Sequence, residues 1–363
     1  MRRLTKIAAV TAVFALALTG CGSNDDGGNT KKDTNTASED VCEGSEGDGP
    51  KIGLAYDVGG RGDQSFNDSA YDGIKKSVDD LDASCIEAEA TPGENDAARA
   101  ERLRTLAEQG YNPVIAVGFI YSVAADQVAP DYPDVNFAVV DGYDPTEEPN
   151  ENVAYLGFAE QEGSFLVGVA AALKSEAKHV GFVGGTHGDL IKRFEAGYVA
   201  GVKAVDPSIQ VDVKYLTEDP NDGQGGFENP AGGNTAATGM YDAGADVVYH
   251  AAGKSGLGVF DAVEEAGEGN WAIGVDSDQY LTVDDAQKPF ILTSMLKRVD
   301  TAVFEFVSAV NDGEAPTSYV TYDLKSEGVG YSTSGGFVDD IKGEIESYKE
   351  KILSGEIEVP STP

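Results

Sequence analysis

The chain has 363 residues and carries 63 Asp and Glu against 26 Lys and Arg, a formal net charge of −37. A surface this acidic repels phosphate backbones, so a nucleic-acid partner is excluded. The acids read as a solvated face rather than as a site.

At the start of the chain, Arg2, Arg3 and Lys6 form a basic region ahead of the apolar run Ile7 to Leu18, which is too short to span a bilayer comfortably. Leu18-Thr19-Gly20-Cys21 then resembles a bacterial lipobox. On that reading residues 1–20 are a lipoprotein signal peptide and Cys21 becomes a diacylated N-terminus. Its two acyl chains satisfy the condition for stable anchoring, which holds the protein on the outer side of the cell membrane. The plainer alternative is a signal peptide cleaved near Gly20 without lipidation.

Residues 21–50 hold almost no apolar side chain and much Gly, Ser, Asn, Asp and Glu, the makeup of a flexible tether. With Cys21 lipidated, Cys42 and Cys85 remain as an even pair in an oxidising compartment. A disulfide stapling the end of the tether to the first domain is expected; two free thiols are the alternative.

From Lys51 onward about 310 residues remain, enough for two domains. Apolar, β-branched runs predict strands at Lys51–Tyr56, Pro113–Val117, Asn136–Val140, Val153–Leu156 and His179–Val183, then at Val211–Tyr215, Asp246–His250, Trp271–Val275 and Phe290–Ser294. Helical spacing fills most of the intervals, at Asn95–Gln109, Gly163–Lys174, Leu190–Ala204, Asn234–Ala243 and Gly256–Ala266. Strand alternating with helix indicates an α/β protein with parallel, doubly wound sheets. Glycines at 110, 244 and 267 fit left-handed caps ending helices before strands. There are too many strands for one sheet, so two domains are expected, with a boundary near Gly157–Gly163.

In such folds ligands bind at the carboxyl ends of strands. The first strand runs into Asp57–Gly73, DVGGRGDQSFNDSAYDG, where glycines bare the backbone and Ser65, Phe66 and Asn67 set a hydroxyl, an aromatic face and an amide at a helix start. That suits a flat, polar ring. The alternative is a glycine turn with Ser65 or Asn67 as N-cap and Phe66 in the core. Other strand ends lead to Gly118-Phe119, to Asp141-Gly142-Tyr143, to a loop containing Gly225–Pro230 with Phe227, to the glycine-rich turn at Gly253, to Asp276-Ser277-Asp278-Gln279, and to Lys297. Aromatics and carboxylates of this kind make a polar ligand pocket. Each acid alone is equally an N-cap, and Lys297 alone is a surface lysine. The Walker order and GxGxxG are absent, the three histidines show no metal spacing, and no calcium loop or nucleophile elbow stands out. No metal, cofactor or catalytic group is assigned.

Asp57-Val58-Gly59-Gly60, Ser65-Phe66-Asn67, Gly157-Phe158, Phe194-Glu195-Ala196-Gly197, Gly274-Val275-Asp276-Ser277-Asp278-Gln279 and Gly355–Pro360 resemble the basic membrane protein family of lipoproteins, the purine-nucleoside receptor type. The resemblance implies a type I periplasmic-binding-protein fold: two Rossmann-like lobes joined by crossovers, with a hinge and a ligand cleft. Lobe 1 would take residues 51–157 with a return of about 298–325, and lobe 2 residues 158–297 with the C-terminal 326–363. It further implies a monomeric receptor that hands a purine nucleoside to an ABC permease and performs no catalysis. Phe66 and Phe227 would stack on the base, with Phe194 as the substitute for Phe227. Asp57, Asn67 and Asp141 would meet the base edge or help shape its cleft, Asp276 and Lys297 would bind the ribose, and Gly253 would let backbone approach the sugar.

The strongly negative surface agrees with a neutral nucleoside rather than a nucleotide. A receptor for riboflavin or a sugar remains open. So does an extracellular nucleoside hydrolase using Asp57, Asp63 and Asp141.

Overall fold

A computed structural model describes residues 40–146 and 150–363; the expected signal peptide and lipidated Cys21 lie outside the described residues. The first strands are β1 (Lys51–Ala55), β2 (Ser84–Ala88), β3 (Val114–Val117), β4 (Phe137–Val140) and β5 (Val153–Phe158). With β11 (Ser318–Tyr322) they form a wholly parallel sheet in the order β11-β5-β4-β3-β1-β2. A second sheet takes β6 (His179–Thr186), β7 (Gln210–Thr217), β8 (Val247–Ala251), β9 (Trp271–Asp276), β10 (Ile291–Lys297) and β12 (Val329–Tyr331) in the order β12-β10-β9-β8-β6-β7. Within the shared five strands both sheets follow the doubly wound order 2-1-3-4-5. The chain therefore carries two parallel-sheet lobes, the architecture of periplasmic solute-binding proteins. It passes between the sheets after β5, after β10 and after β11.

The central strands are buried on both faces, β3 and β4 completely, which is why they read as unbroken apolar runs rather than alternating ones. Helices cover those faces: α1 (Phe66–Leu81), α2 (Asp96–Glu108) and α3 (Ser122–Val128) in the first lobe, then α4 (Glu160–Lys174), α5 (Asp189–Val205), α6 (Gly223–Phe227), α7 (Pro230–Asp242) and α8 (Leu257–Ala266) in the second. After β10, α9 (Val299–Asp312) returns to pack on α1, and α10 (Lys342–Leu353) lies against α4. Helices α4 and α5 approach backbone to backbone. A Cβ on Gly197 would stand 2.1 Å from the Gln161 carbonyl oxygen, and one on Gly201 2.1 Å from that of Phe165. Only glycine permits that crossing, which seats α5 against the site.

Several details differ from expectation. The Gly225–Pro230 loop winds instead into α6 and the start of α7, because Asp222 accepts from Gly225 N and Asn229 from Gly232 N as N-caps. Strand β12 is antiparallel to β10, an edge exception to the parallel sheets. Glycines 110, 244 and 267 all have positive φ, but Gly267, at ψ −162°, is not a left-handed helical cap. Cys42 and Cys85 are joined, with sulfurs 2.13 Å apart, tying the start of the described chain to β2. Among the described residues no helix is long and apolar enough to cross a membrane.

Candidate functional site

The two sheets bring their carboxyl ends toward one interlobe cavity, of about 560 Å³ counting the space open to solvent. All eight residues expected at the ligand, Asp57, Phe66, Asn67, Asp141, Phe227, Gly253, Asp276 and Lys297, line it, and so does Phe194. The cavity sits at the switch point of each sheet. Asp57 follows β1 and Gly118 follows β3; the facing lobe contributes Ala251 at the end of β8 with Ala252 and Gly253 beyond it. In open α/β sheets a ligand binds where strand order reverses, and here two such crevices face each other.

Asp141 and Asp276 occupy matching places, at the ends of the fourth strand in each sheet, and both have left-handed backbones, φ 60° and 63°. Such a conformation costs a non-glycine residue on the order of 1 kcal/mol or more and persists where the surroundings enforce it. Here it turns each carboxylate into the cleft. Gly253 has φ 51°, and a Cβ there would make only ordinary contact with Phe227 at 3.5 Å. Its glycine is required by conformation rather than by lack of room.

The loop after β1 is built around Asp63. Its carboxylate accepts from the backbone N of Ser65, Asn67 and Asp68 at 3.0, 2.8 and 3.1 Å, capping α1. Asn67 donates its amide to Asp63 at 3.0 Å, while its carbonyl oxygen accepts from Asp57 N at 3.1 Å. Asn67 thus borders the cavity but already spends its oxygen and one N–H on holding Asp57. Ser65 stands at the N-cap position without capping; its hydroxyl donates instead to Asp276 Oδ2 at 2.5 Å in the other lobe. Ser277 Oγ returns a bond to the Ser65 carbonyl at 3.2 Å.

Lys297 is almost wholly buried, with Nζ 2.6 Å from Asp141 Oδ2 and 3.4 Å from Glu160 Oε1. Rings of Phe66, Phe158 and Phe194 lie 5.1, 5.0 and 5.4 Å from the ammonium, a cation–π box. Burial works against the charged amine, yet Asp141 and Glu160 outweigh it and hold its pKa above the usual lysine value. Burial pushes the carboxyls of Asp57 and Asp276 up to about 7, against a bond from Val58 N in the first case and the Lys297 charge in the second. The site is therefore a cleft lined by four acids, Asp57, Asp63, Asp141 and Asp276, by two lysines, Lys254 and the buried Lys297, and by several aromatic faces. It can stack a ring and accept or donate several hydrogen bonds.

The three histidines stand apart. His179 and His187 pair with Asp212 and Glu218, each at 2.8 Å, and burial lowers His250 to about 4. Sequence reasoning missed Glu160, which reads as an ordinary acid in the first turn of a helix; its buried contact with Lys297 links residues 137 positions apart.

This arrangement, two doubly wound lobes with one shared cavity at their switch points, is that of ABC-type solute-binding proteins. A family described as "ABC transporter substrate-binding protein PnrA-like" (Bmp) matches residues 51–363, and the chain belongs to it. It is 32% identical over 373 residues, covering 99% of each chain, to the "ABC transporter nucleoside-binding protein BmpA" of Lactococcus lactis subsp. cremoris. It is 33% identical over 379 residues, covering 100% of each, to a "CD4+ T-cell-stimulating antigen" of Listeria innocua. Among solved structures, an ABC transporter solute-binding protein from Aeropyrum pernix superposes with a TM-score of 0.74 at 29% identity, covering 86% of this chain and 94% of the other.

Proposed function

We propose that this protein is a lipid-anchored, extracytoplasmic receptor that binds purine nucleosides and delivers them unaltered to an ABC permease. The observation that carries the reading is the convergence in one cavity of Phe66 and Phe227, Asp57 and Asp141, and Asp276 and Lys297, drawn from both lobes. A base stacked between aromatic faces is held without regard to its exact identity. Asp57 and Asp141 meet its polar edge, with Asn67 fixing Asp57. Asp276 accepts from the vicinal ribose hydroxyls, as acids do in dinucleotide sites, and Lys297 donates to the same oxygens. A relative named as nucleoside-binding over the whole chain length supports the ligand class. The anchor rests on the lipobox-like Leu18–Cys21.

The protein acts as a monomer whose lobes close on ligand, a population shift set by tighter binding to the closed form. Hydrolysis is the weaker reading, because two of the acids it requires are committed: Asp63 caps α1, and Asp141 pairs with Lys297. Calorimetric titration with inosine, followed by chromatography of the mixture, tests the proposal. Binding with intact nucleoside recovered supports it, and release of free base and ribose contradicts it. Asp276→Ala should lower affinity for a ribonucleoside far more than for its 2′,3′-dideoxy analogue; equal losses would remove Asp276 from the sugar.

A further inference from the structure

The chain crosses between the lobes after β5, β10 and β11, and these strands stand at or next to one end of their sheets. A hinge motion of the lobes turns about that end. Further along, no chain crosses, and lobe 2 instead takes hold of the loop that follows β1. Ser277 Oγ, just past β9, donates to the Ser65 carbonyl oxygen at 3.2 Å, and Lys254 Nζ, in the turn after β8, donates to the Gly59 carbonyl oxygen at 3.5 Å. Gly223 at the start of α6 lies against the same loop; a Cβ on it would stand 2.8 Å from Val58 Cγ2. Neither Ser277 nor the two carbonyl-bearing residues line the ligand cavity. Ser277 Oγ makes one hydrogen bond among the described residues, and that bond ties nothing within its own lobe.

Such a bond exists only while the lobes touch, and it uses no atom of a ligand. We propose that Ser277 is a positioning residue for closure: with Lys254 it latches lobe 2 onto the backbone of the loop that carries Phe66, and it sets affinity through the fraction of receptor that is closed rather than by touching what is bound. Both latching groups take backbone carbonyl oxygens, so they sense where the loop lies and not which side chains it presents. The consequence is a signature that a ligand-contacting residue does not give. Losing the latch lowers the closed fraction, and apparent affinity falls by that fraction for every ligand alike. Asp276, the chain neighbour of Ser277, is assigned to the ribose and should discriminate between sugars instead. The inference rests on the reading of the protein as a nucleoside receptor that closes on its ligand.

The test is calorimetry and stopped-flow kinetics on the full mature protein with two probes, inosine and 2′,3′-dideoxyinosine. Ser277→Ala should weaken both by one shared factor, about fivefold for a lost hydrogen bond, carried by faster dissociation with association unchanged. Ser277→Thr, which keeps the hydroxyl, should stay near wild type for both. Wild-type affinity in Ser277→Ala would overturn the inference, because the bond then holds nothing. A loss confined to inosine would overturn it by making Ser277 part of the sugar site, and a common loss that Ser277→Thr shares would overturn it by assigning Ser277 to packing. Each of these outcomes leaves the nucleoside reading standing. If neither probe binds the wild type, the nucleoside reading fails and the inference with it.

Discussion

Ser65 Oγ donates to Asp276 Oδ2 at 2.5 Å, joining residues 211 positions apart and bridging the two lobes at the proposed sugar site. The bond favours the ionised carboxylate and opposes the burial that pushes Asp276 up to about 7. Ser65→Ala should therefore raise the midpoint of the pH dependence of nucleoside affinity and weaken binding at neutral pH several-fold, about the worth of one charge-assisted hydrogen bond. Titrations at a series of pH values check this. A midpoint unchanged from wild type would show that the hydroxyl does not act through Asp276.

The same carboxyl sets the sign of two pH effects. If the carboxylate is the form that accepts from ribose, affinity rises with pH through about 7 and then levels, and binding below that pH releases a proton. Asp276→Asn should flatten the profile. For folding the sign reverses: a pKa raised in the folded state gives stability that is present below the unfolded value of about 4 and lost as pH rises toward 7. The ligand-free Asp276→Asn variant should gain stability relative to wild type across that window, read from melting temperatures.

The Lys297–Asp141 pair is buried on both sides. Removing one partner strands the other's charge, so Lys297→Met, which leaves Asp141 uncompensated and Glu160 with Arg193 alone, should cost about 3–5 kcal/mol in denaturant unfolding. Asp141→Asn should cost less, because Glu160 still faces the ammonium. The reverse order would contradict the account of Lys297 as the hub of two acids.

The aromatic residues separate by burial. Phe66 and Phe227 are partly exposed on the cavity, so truncation to Ala should weaken base binding by about 1–3 kcal/mol each and leave folding largely intact. Phe194 is 3% exposed, and Phe194→Ala should destabilise the fold by about 3–5 kcal/mol. Affinity and unfolding measured on all three variants decide which face is the second stacking platform.

Much of this was legible in the sequence because its causes are local. The apolar runs that became β1, β3, β4, β8 and β9 are central strands, buried on both faces, and need no knowledge of their partners. The strands that escaped notice are β2, β11 and β12, all at or beside sheet edges and interrupted by Ser, Thr, Glu or Gly. The cavity-lining residues were visible as chemistry stranded at strand ends. Their mutual commitments were not: Asn67 holding Asp57, Ser65 reaching Asp276 and Glu160 reaching Lys297 depend on which elements the fold brings together.

The most direct test of the central claim is native mass spectrometry of residues 22–363 as purified, with release and identification of any bound small molecule. The account predicts a purine nucleoside, recovered intact, bound one to one. Recovery of riboflavin or a sugar would contradict the assignment of Phe66 and Phe227 to a purine and of Asp276 and Lys297 to its ribose, and recovery of a free base alone would contradict a receptor that leaves its ligand unaltered.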